Sequence, residues 1–113
     1  MWIYQKTLEY PVNLKNPDPE MAKLIMTQLG GPNGELAASI RYLQQRYTMP
    51  TGKSRALLTD IGTEEMAHVE IIATMVYQLM ENASIDEIKK AGLAGHYADH
   101  AKATFYTDAT GNA

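Results

Sequence analysis

From Leu57 to Met80 the apolar residues recur in alternating steps of three and four. Leu58, Ile61, Glu65, His68, Ile72, Met75 and Leu79 share one stripe, which predicts a single helix from about Gly52 to Glu81, on the order of 45 Å long. All of the stripe is apolar except Glu65 and His68. These two stand three positions apart, neighbours on the same face, with apolar turns before and after them. A polar group buried there without a partner costs roughly 2–7 kcal/mol, and a charge costs more, so the pattern demands compensation. An unpartnered imidazole between apolar turns is expected to be a liability to the fold.

Shorter elements flank the long helix. Asp18-Pro19-Glu20 reads as a helix start, with Asp18 as the cap and Pro19 at the first position; Met21, Leu24, Ile25 and Leu29 then give an apolar face. The glycine-rich corner Gly30-Gly31-Pro32-Asn33-Gly34 interrupts it, and a second helix is predicted from about Pro32 to Tyr47. That helix carries an apolar stripe of Leu36, Ile40, Leu43 and Tyr47, beside a second row of Glu35, Ala38, Tyr42, Gln45 and Met49. Pro50 and Gly52 punctuate the next connection, where Thr51 or Ser54 can cap the long helix. The connection is short enough for an antiparallel hairpin. Gly62, three positions before Glu65, points to close helix approach there. Ser84 and Glu87 have capping-box spacing ahead of a short helix with Ile88 and Leu93 apolar. Residues before Pro11 read as an extended arm, with Trp2, Tyr4 and Tyr10 as packing anchors. His96 and His100 lie between glycines and a polar end and read as surface residues, and the tail after Thr104 reads as a loop.

Glu-x-x-His inside an apolar seam is the unit that two helices of a four-helix bundle contribute to a carboxylate-bridged dinuclear metal site, the other two helices each giving one Glu. Glu35, where Ala38 permits close approach, is the candidate single Glu; its plainer reading is a first-turn carboxylate favoured by the helix dipole. Glu65 with His68 also has a plainer reading, a histidine donating to a neighbouring carbonyl. Glu64 lies beside the pair. Glu70, Glu81 and Glu87 have no histidine three positions on, so the sequence holds one Glu-x-x-His unit and half of a dinuclear ligand set. Two copies of the chain, or further helices, would supply the rest.

Composition narrows the partners. With 113 residues, the chain is at most one domain. The net charge of -3, with no basic run longer than Lys89-Lys90, argues against nucleic acid. There is no cysteine, which removes thiolate and disulfide chemistry and fits a reducing compartment such as the cytoplasm. No apolar run is long enough for a membrane span, and no secretory signal is expected.

Gly30-Gly31-Pro32-Asn33-Gly34-Glu35 and Asp60-Ile61-Gly62-Thr63-Glu64-Glu65-Met66-Ala67-His68-Val69-Glu70 resemble the amino-terminal half of the manganese catalases, most closely their short bacterial spore-coat members. The likeness extends over nearly the whole chain, to the closing Phe105-Tyr106-Thr107-Asp108-Ala109-Thr110-Gly111-Asn112. It implies half of an all-α, ferritin-like four-helix bundle, residues 1–113 forming a partial domain with a long α-hairpin, short flanking helices and an N-terminal arm. It further implies disproportionation of hydrogen peroxide at a dimanganese centre, in an oligomer. Glu65 would bridge two manganese ions, Glu35 and His68 would belong to the first, and Tyr42 and Glu64 would orient ligands or move protons.

The sequence departs from the family where a second bridging Glu and second His are expected, so the chain is read as part of a longer protein or of a homo-oligomer. Carboxylates with one imidazole per metal suit manganese, and iron nearly as well. A di-iron oxidase is therefore the nearest competing chemistry. A coat module held by its interfaces with other spore coat proteins is the competitor without catalysis, placing the chain in the spore coat rather than the cytoplasm.

Overall fold

In a computed structural model the chain is all-α, and the structure describes Leu8 and residues 10–94. Trp2, Tyr4, His96, His100 and the tail after Thr104 lie outside the described residues. The described elements are α1 (Pro19–Gly30), α2 (Glu35–Gln45) with a 3₁₀ turn at Arg46–Thr48, α3 (Gly52–Met80) and α4 (Ile85–Lys90).

Local chemistry sets the helix starts. Asp18 accepts a hydrogen bond from the N–H of Met21 at 3.0 Å, with Pro19 opening α1. Thr51 and Ser54 close a reciprocal capping box on α3, with Thr51 Oγ1 accepting from the Ser54 N–H at 3.1 Å. Ser84 and Glu87 do the same for α4. The start of α2 differs from the expected one. Pro32 does not open the helix; it sits at the second position of a turn closed by the Gly34 N–H on the Gly31 carbonyl at 2.9 Å, a place proline favours. Gly34 then caps α2, its backbone so close to α1 that a Cβ would stand 2.7 Å from the Gln28 carbonyl oxygen. The corner therefore places Glu35 as the first residue of α2.

The two helices that carry Glu35, Glu65 and His68 form an antiparallel hairpin. Residues rising along α2 meet residues falling along α3: Glu35 faces Glu65 and His68, Ser39 faces Gly62, and Arg46 faces Thr59. Gly62 is the point of closest approach, because a Cβ there would lie 2.8 Å from Cγ of Leu43 and 3.2 Å from its backbone nitrogen. α1 begins beside Leu79, where the Asp18 N–H donates to the Leu79 carbonyl at 2.9 Å. With α2 starting beside Glu65 and His68, α1 and α2 divide the length of α3 between them.

The buried core gathers at the far end of α3 from the hairpin turn. Ala22, Leu79, Met80, Ile88, Ala91 and Leu93 form it, with Leu14, Ile25, Met26 and Ala83 packed around them. α1 turns a different face inward from the one its apolar residues suggest. Ala22 is fully buried, whereas Leu24 is 66% exposed and Met21 also faces outward. The small side chain lets α1 approach Leu79 and Met80, and that contact sets the helix's rotation. The segment before α1 is held by the Gln78 amide, which accepts from the Leu14 N–H at 2.7 Å and donates to the Val12 carbonyl at 2.9 Å. Toward the hairpin turn Leu36, Ile40, Tyr47 and Leu57 remain exposed, so the expected apolar stripe of α2 is covered by α3 at Leu43 and open elsewhere. Among the described residues no helix is long and apolar enough to cross a membrane.

Candidate metal centre

The antiparallel register brings Glu35, Glu65 and His68 together. One ligand atom of each lies within 4.8 Å of the others, the sole such cluster of His, Cys, Asp and Glu among the described residues. With its proton on Nδ1, the His68 ring donates to Oε2 of Glu65 at 2.7 Å, and the same nitrogen lies 3.3 Å from Oε2 of Glu35. Glu65 and His68 share one face of α3, as the three-residue spacing requires, and Glu35 reaches them from the first turn of α2. The seam around them is half-covered rather than enclosed: the side chain of Glu65 is 13% exposed and that of His68 is 41% exposed.

The three groups perturb one another. The hydrogen bond between Glu35 and Glu65 pushes the Glu35 carboxyl up from the usual carboxylate value, with burial and the Glu65 charge adding to it and His68 opposing. The same bond holds Glu65 down; burial works against this and His68 adds to it. The His68 imidazolium is favoured, first by the Glu65 hydrogen bond against the effect of burial, then by the charge of Glu65 and by Glu35. Without metal the imidazole is thus a shared proton donor to two carboxylates. The imidazole is therefore not unpartnered in the metal-free fold, which the sequence could not show because Glu35 arrives from another helix.

The remaining candidates lie around this cluster. Tyr42 is half-buried on α2, seven positions after Glu35 and hence two turns along the same face. Glu64 is exposed and outside the cluster; its Oε1 accepts from the Tyr10 hydroxyl at 3.3 Å. One position along a helix turns a side chain by about 100°, so Glu64 leaves the face that Glu65 occupies. Two residues at the turns beside the cluster carry no sequence motif. Ser39 is buried with its hydroxyl on the Gly62 carbonyl at 2.7 Å, and Leu43 rests on Gly62. The signal for them was positional: Ser39 is four residues after Glu35, and Gly62 three before Glu65.

Three donors of this kind, two carboxylates and an imidazole converging on one spot, fit a manganese or iron ion. Metal binding at such a site would compete with protons. His68, its affinity for protons raised above the ordinary 6.5, must lose one before that nitrogen can bind metal. Manganese(II) affinity is therefore expected to rise with pH through the interval above 6.5 and to level off once His68 is neutral. Titration calorimetry in buffers of different ionisation enthalpy checks this through the proton released on binding. An affinity flat across that interval would contradict it.

The comparisons with known proteins agree with the arrangement. The family model described as manganese containing catalase matches residues 1–112. Protein CotJC of Bacillus subtilis (strain 168) is 53% identical over 111 residues, covering 98% of this chain and 58% of that protein. A manganese catalase of Bacillus subtilis is 41% identical over 92 residues, 80% of this chain and 34% of that one. The crystal structure of wild-type KatB, a manganese catalase from Anabaena, superposes with a TM-score of 0.77 at 27% identity, covering all of this chain and 50% of the other. The chain thus spans about half the length of these relatives or less, and the helices described here have the ferritin-like arrangement of the corresponding half of such a bundle. By the extent of the family match and its identity to these relatives, the chain belongs to the manganese-containing catalase family.

Proposed function

We propose that this chain supplies half the ligand set of a dimanganese centre that converts hydrogen peroxide to water and dioxygen. The observation that carries the reading is the convergence of Glu35, Glu65 and His68 from two antiparallel helices of a chain in this family. The other half comes from further helices of a longer protein or from another copy of the chain. Bound there, a manganese pair would supply two-electron redox exchange, which balances reduction of one peroxide to water against oxidation of another to dioxygen.

The residues have distinct tasks in this reading. Glu65, hydrogen-bonded to His68 and beside Glu35, would take the bridging role. Glu35 and His68 would hold the first ion from opposite helices. Two carboxylates would offset half of the charge of a divalent pair, and the half-covered seam leaves His68 reachable from solvent. Tyr42, half-buried two turns along α2 from Glu35, would orient substrate by its hydroxyl. Glu64 moves protons at the outer edge, where Tyr10 fixes its carboxylate.

The test is metal analysis of the purified protein together with peroxide turnover. Bound manganese with dioxygen release supports the reading; stoichiometric iron with no dioxygen release replaces it with a di-iron oxidase. A second reading has its own support. The identity to protein CotJC over 98% of the chain, with Leu36, Ile40, Tyr47 and Leu57 exposed, favours a spore coat component that associates through these side chains. Metal-free, inactive and well-folded protein that assembles with coat proteins would select it.

A further inference from the structure

We infer that Ser39 is a positioning residue for the donor cluster, its hydroxyl locking α2 against α3 at the one register that sets Glu35 opposite Glu65 and His68. Ser39 is 1% exposed, the sole buried polar side chain among the described residues, so neither peroxide nor a metal ion reaches it from solvent. Its Oγ donates to the carbonyl of Gly62 at 2.7 Å. In a helix that carbonyl already accepts from the N–H four residues on, at Met66, so Ser39 is a second donor to the turn that carries Glu65.

The placement is what makes the bond matter. Glu35 is one turn before Ser39 on α2, and Glu65 is one turn after Gly62 on α3. In an antiparallel pair these offsets bring the two carboxylates level. A slip of α2 along α3 by one residue moves Glu35 by about 1.5 Å, enough to break a contact of 3.3 Å to His68. Leu43 seated over Gly62 adds apolar contact at the same level, but that contact is not directional. The hydroxyl-to-carbonyl bond is directional and supplies the missing register. The contact of Glu65 with His68 lies within α3 and does not depend on it.

The role of Ser39 rests on the metal-site reading for its purpose, and the test separates the two. The chain is prepared as wild type, Ser39→Ala, Ser39→Thr, which keeps the hydroxyl, and Thr51→Ala, which removes a cap far from the cluster. In crystal structures of the metal-free proteins, Glu35 is expected to stand out of reach of His68 in Ser39→Ala alone, with the Glu65–His68 hydrogen bond intact in all. Manganese(II) affinity is expected to fall about tenfold in Ser39→Ala, the scale typical of residues that orient ligands, and to hold in Ser39→Thr and Thr51→Ala. Should Ser39→Thr be too crowded to fold, Ser39→Cys, a near-isostere with a weak donor, is expected to behave like the alanine variant. A Glu35 carboxylate still beside His68 in Ser39→Ala would overturn the proposal, as would an affinity loss no larger than that of Thr51→Ala. If wild type binds no manganese the metal reading fails, and the position of Glu35 in the metal-free variants still decides the role of Ser39.

Discussion

Replacing His68 with alanine is expected to lower manganese(II) affinity by more than the roughly 10–100-fold that loss of a ligand-orienting partner costs, because a donor itself is removed. His68 is the sole nitrogen donor of the cluster, and it joins the carboxylates of both helices through one ring atom. Without it, Glu35 and Glu65 face each other with no cation between them, and their remaining route to relief is to share a proton, which excludes metal. The metal-free protein responds far less. The His68 side chain is 41% exposed, so its ion pair is screened and contributes about 0–1 kcal/mol. The sign of that contribution follows from the raised proton affinity of the ring: it is fully present below pH 6.5 and disappears as pH rises through the folded-state value. Equilibrium dialysis with manganese(II), with urea denaturation of metal-free wild type and variant on both sides of that interval, checks the two halves. Wild-type affinity in the variant, or a metal-free loss above about 3 kcal/mol at any pH, would show that His68 serves the fold and not the metal.

Gly62→Val is expected to destabilise the chain by about 1–3 kcal/mol and to weaken metal binding with it. Even the first added atom would meet Leu43 at 2.8 Å from Cγ and 2.9 Å from Cδ2, with the Leu43 backbone nitrogen at 3.2 Å. Leu43 cannot rotate all of these away, since one is backbone, so α2 must move off α3 beside Ser39. Alanine separates propensity from packing. In an open helix interior it would gain about 1 kcal/mol over glycine, yet at this position it too is expected to lose stability. Gly52→Ala is the matched control, because a Cβ there meets nothing within 4 Å. Urea denaturation of the three variants reads the result, and a stabilised Gly62→Ala would mean that the helices are not in close contact at this point.

The long helix, its caps and its hairpin were legible because each has a local cause. Periodicity without a break from Leu58 to Leu79 requires one helix, Thr51 with Ser54 starts it, and a connection of a few residues around Pro50 turns the chain back. Glu65 and His68 could be placed on one face by spacing alone, and Gly62 marked the close approach. What sequence could not supply was the partner of each face. α1 has apolar residues over a wide arc, and its rotation is chosen by Leu79 and Met80, which select Ala22 over Leu24. The Gly31–Gly34 turn is set by Pro32 within it, so α2 starts later than a proline-first reading gives. Gln78 reads as an ordinary polar residue of α3 until the chain before α1 is seen crossing it. Glu64 adjoins Glu65 in sequence, and the helix turns it outward to Tyr10. The core likewise sits where α1, α4 and the segment before α1 converge on the end of α3, whereas the donor cluster is built between α3 and the start of α2.

Whether Glu35, Glu65 and His68 are metal ligands is decided by anomalous diffraction at the manganese absorption edge, from crystals of the protein grown with manganese(II). An anomalous peak is expected, bonded to the Nδ1 of His68 and to carboxylate oxygens of Glu35 and Glu65. Crystals with no peak at these three side chains, or with manganese bound only elsewhere on the chain, would contradict the assignment.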